Sequence, residues 1–220
     1  MLLLQFSTSH YCRKARLALG YKHIDYRVEN LTPGIHALRL KPLTGLTTVP
    51  TLIPSEGAIA LGDSTQILHF LDQHQPTPSL SLEDPAQAAD IWLLEDWLDE
   101  SIGTATRFVY YDYRAGEGKA IDPSWMSQAV IRIVRSQYGM TPAKVAQARL
   151  RLDTGLEILQ HRWQTPFLVG DRLTAADIAA AALLSPLALI PTYRQAHGWL
   201  FDRITEIHHH CQEPLPPGLA

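Results

Sequence analysis

The segment Ser7-Thr8-Ser9-His10-Tyr11-Cys12 puts aliphatic hydroxyls, an imidazole, a phenol and a thiol at consecutive positions. It follows the apolar run Leu2-Leu3-Leu4-Gln5-Phe6, which reads as a buried strand. It leads into Cys12, Ala15 and Leu19, which recur at the spacing of one helix face. The hydroxyls therefore lie where a strand passes into a helix N-terminus, and there free N–H groups and the helix dipole favour an anion. Arg13, Lys14 and Arg16 stand in the first turns of that helix. Cations there oppose the dipole, and an anionic ligand nearby would account for them. On the residues alone the favoured reading is capping, with Ser9 accepting from the helix backbone and the basic side chains solvated.

Two other junctions offer similar chemistry. Val49-Pro50 opens a strand-like run; on the residues alone a trans proline at a sheet edge is favoured over a cis bond that presents a backbone pair to a ligand. Asp63-Ser64 precedes Ile67, Leu68 and Leu71 at helical spacing, so the pair either caps a helix or holds a carboxylate on its free N–H groups. Farther along, Arg107, Tyr110, Tyr111 and Tyr113 offer aromatic rings with polar tips, which suit a flat, partly polar ligand or the packing of one domain on another.

Other chemistries are set aside. Gly116-Glu117-Gly118-Lys119 lacks the spacing of a phosphate loop, and Ala120 stands where a hydroxyl is required. There is no Gly-x-Ser-x-Gly elbow. His208, His209, His210 and Cys211 find no convergent partners for a metal, so we expect no metal and a solvated helix end. Cys12 falls on a buried helix face, and without a Cys-x-x-Cys pair a packing role is favoured over a redox one.

The elements that must position these residues fall into two groups. Strand patterns at residues 2–6 and 24–28, a hairpin pairing 49–53 with 58–61, and helices from Cys12 and Ser64 make a compact α/β unit, with an irregular stretch before the hairpin. Gln75-Pro76-Thr77-Pro78-Ser79 is linker chemistry. Beyond it Asp84-Pro85, Asp122-Pro123 and Thr141-Pro142 each open a helix, with proline in the first turn. Thr174 and Asp177 form a capping box, flanked by Leu173 and Ile178 as a hydrophobic staple. The division is thus 1–75, a linker at 76–84, and an all-helical 85–220.

Composition narrows the partners. Of 220 residues, 46% are hydrophobic and 19% charged, with a net charge of −3 and no long basic block, which argues against nucleic acid. The most apolar stretch, 178–191, is shorter than the roughly 20 residues a bilayer span needs, and no signal segment is evident, so no membrane partner is expected. Two cysteines fit a reducing, cytoplasmic setting.

Taken together, Ser9-His10-Tyr11-Cys12-Arg13-Lys14-Ala15-Arg16, Thr48-Val49-Pro50-Thr51-Leu52, Gly62-Asp63-Ser64-Thr65-Gln66-Ile67-Leu68 and Phe167 to Ile178 resemble the cytosolic glutathione transferases, over nearly the whole chain. The resemblance implies a thioredoxin-like N-terminal α/β domain with a C-terminal helical bundle, a homodimer, and glutathione as co-substrate rather than a resident cofactor. It implies Ser9 as the catalytic hydroxyl, with Tyr11 as the alternative. Pro50 would be the cis-proline, Val49 the backbone partner of the cysteinyl unit, and Asp63 and Ser64 the holders of the γ-glutamyl group. Lys41 and Thr48 bound a segment longer than the family's usual one and are carried as glutathione-binding positions. Arg107, Tyr110 and Tyr111 fall where the family binds its electrophile. The implied activity is conjugation of glutathione to small hydrophobic electrophiles. The alternatives are an isomerase or peroxidase on the same thiolate, or a binding scaffold of the same fold.

A hydroxyl would suffice for that chemistry. Lowering a thiol pKa from about 8.5 by about two units needs about 2.7 kcal/mol. A charge-assisted hydrogen bond gives about 1.5–3 kcal/mol, and a helix N-terminus adds up to about 2.

Overall fold

The computed structural model describes residues 1–220. Strand β1 (Leu2–Gln5) is the middle of a three-stranded sheet in the order β2-β1-β3. Strand β2 (Arg27–Asn30) lies parallel to it, Leu2 opposite Arg27 and Gln5 opposite Asn30. Strand β3 (Thr51–Ile53) lies antiparallel, Leu2 opposite Ile53 and Leu4 opposite Thr51. Helix α1 (His10–Tyr21) makes the crossover between the parallel pair, and Cys12, Ala15 and Leu19 are buried as their spacing demands. Helix α2 (His36–Thr44) precedes β3, and α3 (Ser64–His74) follows it.

Three local expectations in this region are corrected. The second strand begins at Arg27 rather than Ile24; Ile24 and Tyr26 pack against the core ahead of the ladder. The hairpin's return strand shrinks to one bridge, Leu61 to Leu52, because Ile59 turns out to solvent. The stretch before β3 is not irregular: α2 forms there although only Leu40 is buried and Pro42 sits inside it.

After residue 84 the chain is helical. The long helix runs as α4 (Pro85–Asp96), a π-helical stretch (Trp97–Gly103) and α5 (Thr104–Ala115). Asp84 caps its start, accepting from the Gln87 N–H. Helix α6 (Trp125–Gln137) is capped by Ser124, not by Asp122, because Glu117–Ile121 first forms a short 3-10 turn. Helix α7 (Pro142–Arg162) is capped by Thr141. Helices α8 (Ala175–Leu184), α9 (Pro191–Ala196) and α10 (Gly198–His210) complete the bundle.

Every residue of α8 is buried, and α8 packs against α1, so one apolar core runs through both units. The capping box fixes its entry. Asp177 Oδ2 accepts from the Thr174 N–H and hydroxyl, both at 2.9 Å, while Oδ1 takes the Leu168 N–H at 2.7 Å. The staple residues Leu173 and Ile178 are both buried.

Candidate functional site

A cleft of about 630 Å³ opens where the C-terminal end of β1, the turn before β3 and the start of α3 face α5 and α6. Its size is that of a small-molecule site. Ser9, Tyr11, Thr48, Val49, Pro50, Asp63 and Ser64 line it from the first unit, and Arg107, Tyr110 and Tyr111 from the second. The Val49–Pro50 bond is cis, against the expectation from the residues alone and as the resemblance implied.

The hydroxyls of Ser9 and Tyr11 are used differently. Ser9 has extended backbone and caps α1, its Oγ accepting from the Cys12 N–H at 3.3 Å. A cap uses a lone pair, so the Ser9 O–H can turn either to the neighbouring Cys12 thiol or into the cleft, which Ser9 lines. The Tyr11 O–H is spent on the Asp99 backbone carbonyl at 2.9 Å, and burial pushes its pKa up to about 12. Asp63 caps α3, accepting from the Gln66 N–H at 2.9 Å. The Ser64 hydroxyl donates to Asp99 Oδ1 at 3.2 Å, while its N–H, in the first turn of α3, has no helical acceptor.

On the other wall, Arg107, Tyr110, Tyr111 and Arg114 stand at i, i+3, i+4 and i+7 on one face of α5. The Arg107 guanidinium sits 4.8 Å from the Tyr11 ring centroid and 4.4 Å from that of Tyr138. The rings of Tyr110 and Tyr111 meet edge to face, and burial pushes the Tyr111 hydroxyl up to about 12. Met126, Val130 and Val134 of α6 form an apolar side.

Residues 3–79 match the family described as glutathione S-transferase, N-terminal domain. The first unit is a glutathione S-transferase N-terminal domain. The glutathione S-transferase fold extends over the whole chain. A glutathione S-transferase from Methylobacterium radiotolerans, solved with glutathione sulfonate, is 22% identical with a TM-score of 0.75, the match covering 98% of this chain and 94% of that one. A β-etherase from Sphingobium sp. strain SYK-6 is 18% identical with a TM-score of 0.74, covering 99% and 96%. A maleyl pyruvate isomerase, a bacterial glutathione S-transferase in the Zeta class, is 17% identical with a TM-score of 0.73, covering 99% and 98%. No curated protein sequence matches the chain significantly.

Several sequence candidates lie elsewhere in this glutathione S-transferase fold. Lys41 is exposed on α2 and does not line the cleft; His36, from the same helix, does, with its ring against Phe6. Tyr113 packs on Gly118 instead of facing the cleft. Cys12 is sealed in the interior, and burial raises its thiol to about 11. The basic residues of α1 do not wait for a ligand. Lys14 pairs with Glu95 and Asp99, Arg16 with Glu213 at 2.5 Å, and Arg13 donates to Ser185. His208 is not solvated: it is buried with Nδ1 2.9 Å from the Pro214 carbonyl oxygen. The proline-rich tail packs on both units, Glu213 on Arg16 of α1 and Gly218 against Ala188, and contributes nothing to the cleft lining.

Arg114 and the α6 wall were missed in the sequence. The available signal was Met126 and Ile133, large apolar residues of one helix; both remain more than half or half exposed, at 61% and 50%, and line the cleft. No helix is long and apolar enough to cross a membrane.

Proposed function

We propose that the protein is a glutathione-dependent enzyme, with residues 1–75 holding glutathione and 85–220 the electrophile. The observation that carries this reading is the division of labour at the α1 N-terminus, where Ser9 keeps an O–H that can turn into the cleft while Tyr11 does not. The Ser9 O–H would donate to the bound thiolate, and the α1 dipole adds to its stabilisation. Val49 would pair its backbone with the cysteinyl unit, Asp63 and Ser64 would hold the γ-glutamyl end, and Thr48 lies at the rim on the same side. Lys41 does not line the cleft, and we assign its part to His36, the side chain of α2 that does. The thiolate then attacks an electrophilic carbon: the S–C bond forms and the leaving group departs with its electron pair. A homodimer in the cytoplasm belongs to the same reading.

A glutathione-dependent isomerisation is the second reading, favoured by the likeness to the maleyl pyruvate isomerase. It uses the same thiolate and differs only in releasing it again. Calorimetric titration with reduced glutathione, combined with the thiolate absorbance followed against pH, tests the common step. Saturable binding with a depressed thiol pKa supports both readings, and a substrate panel separates them. Absence of binding removes both and leaves a scaffold of this fold.

A further inference from the structure

The partly buried arginines away from the cleft each have a carboxylate: Arg16 has Glu213, Arg135 has Asp112 at 3.0 Å, and Arg203 has Glu206 at 2.8 Å. The two arginines that line the cleft have none. Arg107 is half-buried, makes no hydrogen bond within the chain, and is held only by the rings of Tyr11 and Tyr138. Arg114 is buried, at 8% exposure. It donates from Nη1 to the Tyr110 hydroxyl oxygen at 3.0 Å and from Nη2 to Ser127 Oγ at 3.1 Å, and its Nε has no partner.

A cation drawn out of water without a counter-charge is costly. Neutral hydroxyls offset that cost only in part. The carboxylates that line the cleft form no ion pair with the two arginines, although hydrogen bonds from Ser124 and, as a lesser cause, the charge of Arg114 lower the pKa of Asp122. Asp63 caps α3, Asp99 is taken by Lys14, Asp122 accepts from the Ser124 N–H, and Glu100 is exposed; none pairs with either arginine. Buried Arg13 does not line the cleft and also lacks a carboxylate, donating to Ser185 instead; it reaches the cleft only through its charge on His10. The His10 imidazolium is disfavoured first by burial and then by Arg107 and Arg13, as expected of a cationic pocket.

The hydroxyl geometry points the same way. Because Tyr110 accepts from Arg114, its own O–H is left to donate, and the adjacent guanidinium strengthens that donor. Arg107 and Tyr110 are neighbours at i and i+3, so a planar fork and an O–H stand side by side on α5. The rings of Tyr110 and Tyr111 and the α6 side chains can take an unsaturated body. We infer that the electrophile half of the cleft is built for a carboxylate-bearing aromatic or conjugated acid, its carboxylate on Arg107 and the Tyr110 O–H. The word electrophile rests on the function proposed above; the anion site itself does not.

The test is a titration without glutathione, using para-nitrobenzoate and its uncharged analogue para-nitrobenzamide. The wild type is expected to prefer the acid by at least about tenfold, the scale of a charge-assisted hydrogen bond. Arg107→Gln should abolish the preference by weakening the acid alone, and Tyr110→Phe should narrow it. Equal binding of the two probes by the wild type, or binding of neither, overturns the inference without any variant. Equal weakening of both probes in Arg107→Gln also overturns it, because the arginine would then be packing only. Glutathione is titrated separately on the same proteins. If it fails to bind while the acid is preferred, the glutathione reading falls and the anion site stands. If Arg107→Gln weakens glutathione and leaves the acid untouched, the guanidinium belongs to glutathione and the inference is wrong.

Discussion

The ammonium of Lys14 on α1 meets the carboxylate of Asp99 in the π-helical stretch between α4 and α5, with side-chain exposures of 0% and 7%. Asp99 is the point at which the two halves of the cleft are joined. Its carboxylate also accepts from the Ser64 hydroxyl, and its backbone carbonyl accepts from Tyr11. Glu95 completes the cluster, touching Lys14 and accepting from the Thr65 hydroxyl at 3.0 Å. Burial raises the Glu95 pKa, so the carboxylate depends on Lys14 to stay ionised. Lys14, Ser64 and Tyr11 of the first unit thus converge on one residue of the irregular helical segment.

Lys14→Met should therefore be much worse than a surface substitution. It leaves two carboxylates buried side by side, and removing one partner of a buried pair typically costs about 3–5 kcal/mol. Replacing Glu95 and Asp99 together by Gln and Asn in the same background should restore part of the loss, because the remaining amides are uncharged. Urea denaturation of the three proteins checks the order. A Lys14→Met protein as stable as the wild type would mean that the cluster is not ionised.

Ser9→Ala and Tyr11→Phe should separate cleanly. Loss of the Ser9 donor is expected to raise the bound thiol pKa by about one to two units, the equivalent of about 1.5–3 kcal/mol. The same change removes the α1 cap, at about 1 kcal/mol of stability, so Ser9→Thr, which keeps a hydroxyl, is the control. Tyr11→Phe should leave the thiol pKa where it was and lose only the bond to the Asp99 carbonyl. The thiolate absorbance followed against pH reads both; a shift in Tyr11→Phe but not in Ser9→Ala would reverse the assignment.

What was legible in the sequence was local. Thr174 and Asp177 are three positions apart, and their capping box is present as read. The helix openings at Asp84 and Thr141 are equally short-range and are present, while at Asp122 the same pattern yields to a 3-10 turn and Ser124 caps instead. Helix α2 was illegible because a single buried residue, Leu40, gives no periodicity, and Pro42 argues against a helix. The site depended on partners that sequence distance hides. The Tyr11 hydroxyl is bonded to a carbonyl 88 residues away, and Arg16 finds its anion 197 residues away. Neither spacing nor propensity carries such information, so the basic residues of α1 read as solvated or as awaiting a ligand when the fold itself supplies their partners.

His208 should make the protein acid-labile. Burial, then Arg13, holds its pKa down to about 4 against an ordinary 6.5. Between those values the unfolded chain takes up a proton that the native one refuses. The stability is thus complete above about pH 6.5 and lost as pH falls toward 4. Nδ1 faces the Pro214 carbonyl and Nε2 is buried without a partner, so a second proton would have nowhere to bond. Between about pH 7 and about pH 4.5 the wild type should lose about 2–3 kcal/mol more than His208→Gln. Denaturant midpoints at the two pH values measure it, and parallel losses in the two proteins would exclude His208 as the cause.

Gly20 and Gly198 should respond to alanine with opposite signs. Both are helical, and alanine in a helix interior is ordinarily better than glycine by up to about 1 kcal/mol. At Gly198, the first residue of α10, an added Cβ meets nothing within 4 Å, so the chain-entropy gain of about 0.4–1 kcal/mol should be realised in full or in part. At Gly20 the same atom would stand 1.9 Å from the Cys211 carbonyl oxygen, a backbone atom at the end of α10. Relief there requires moving the tail that carries Glu213, the anion paired with Arg16. Overpacking of this kind costs about 1–3 kcal/mol and outweighs the propensity gain. In a protein of this length each kcal/mol moves Tm by about 2–4 °C, so a thermal scan resolves both signs. A Gly20→Ala protein that melts no lower than the wild type would show that the tail yields freely, and that the α1 contact with Cys211 does not fix it.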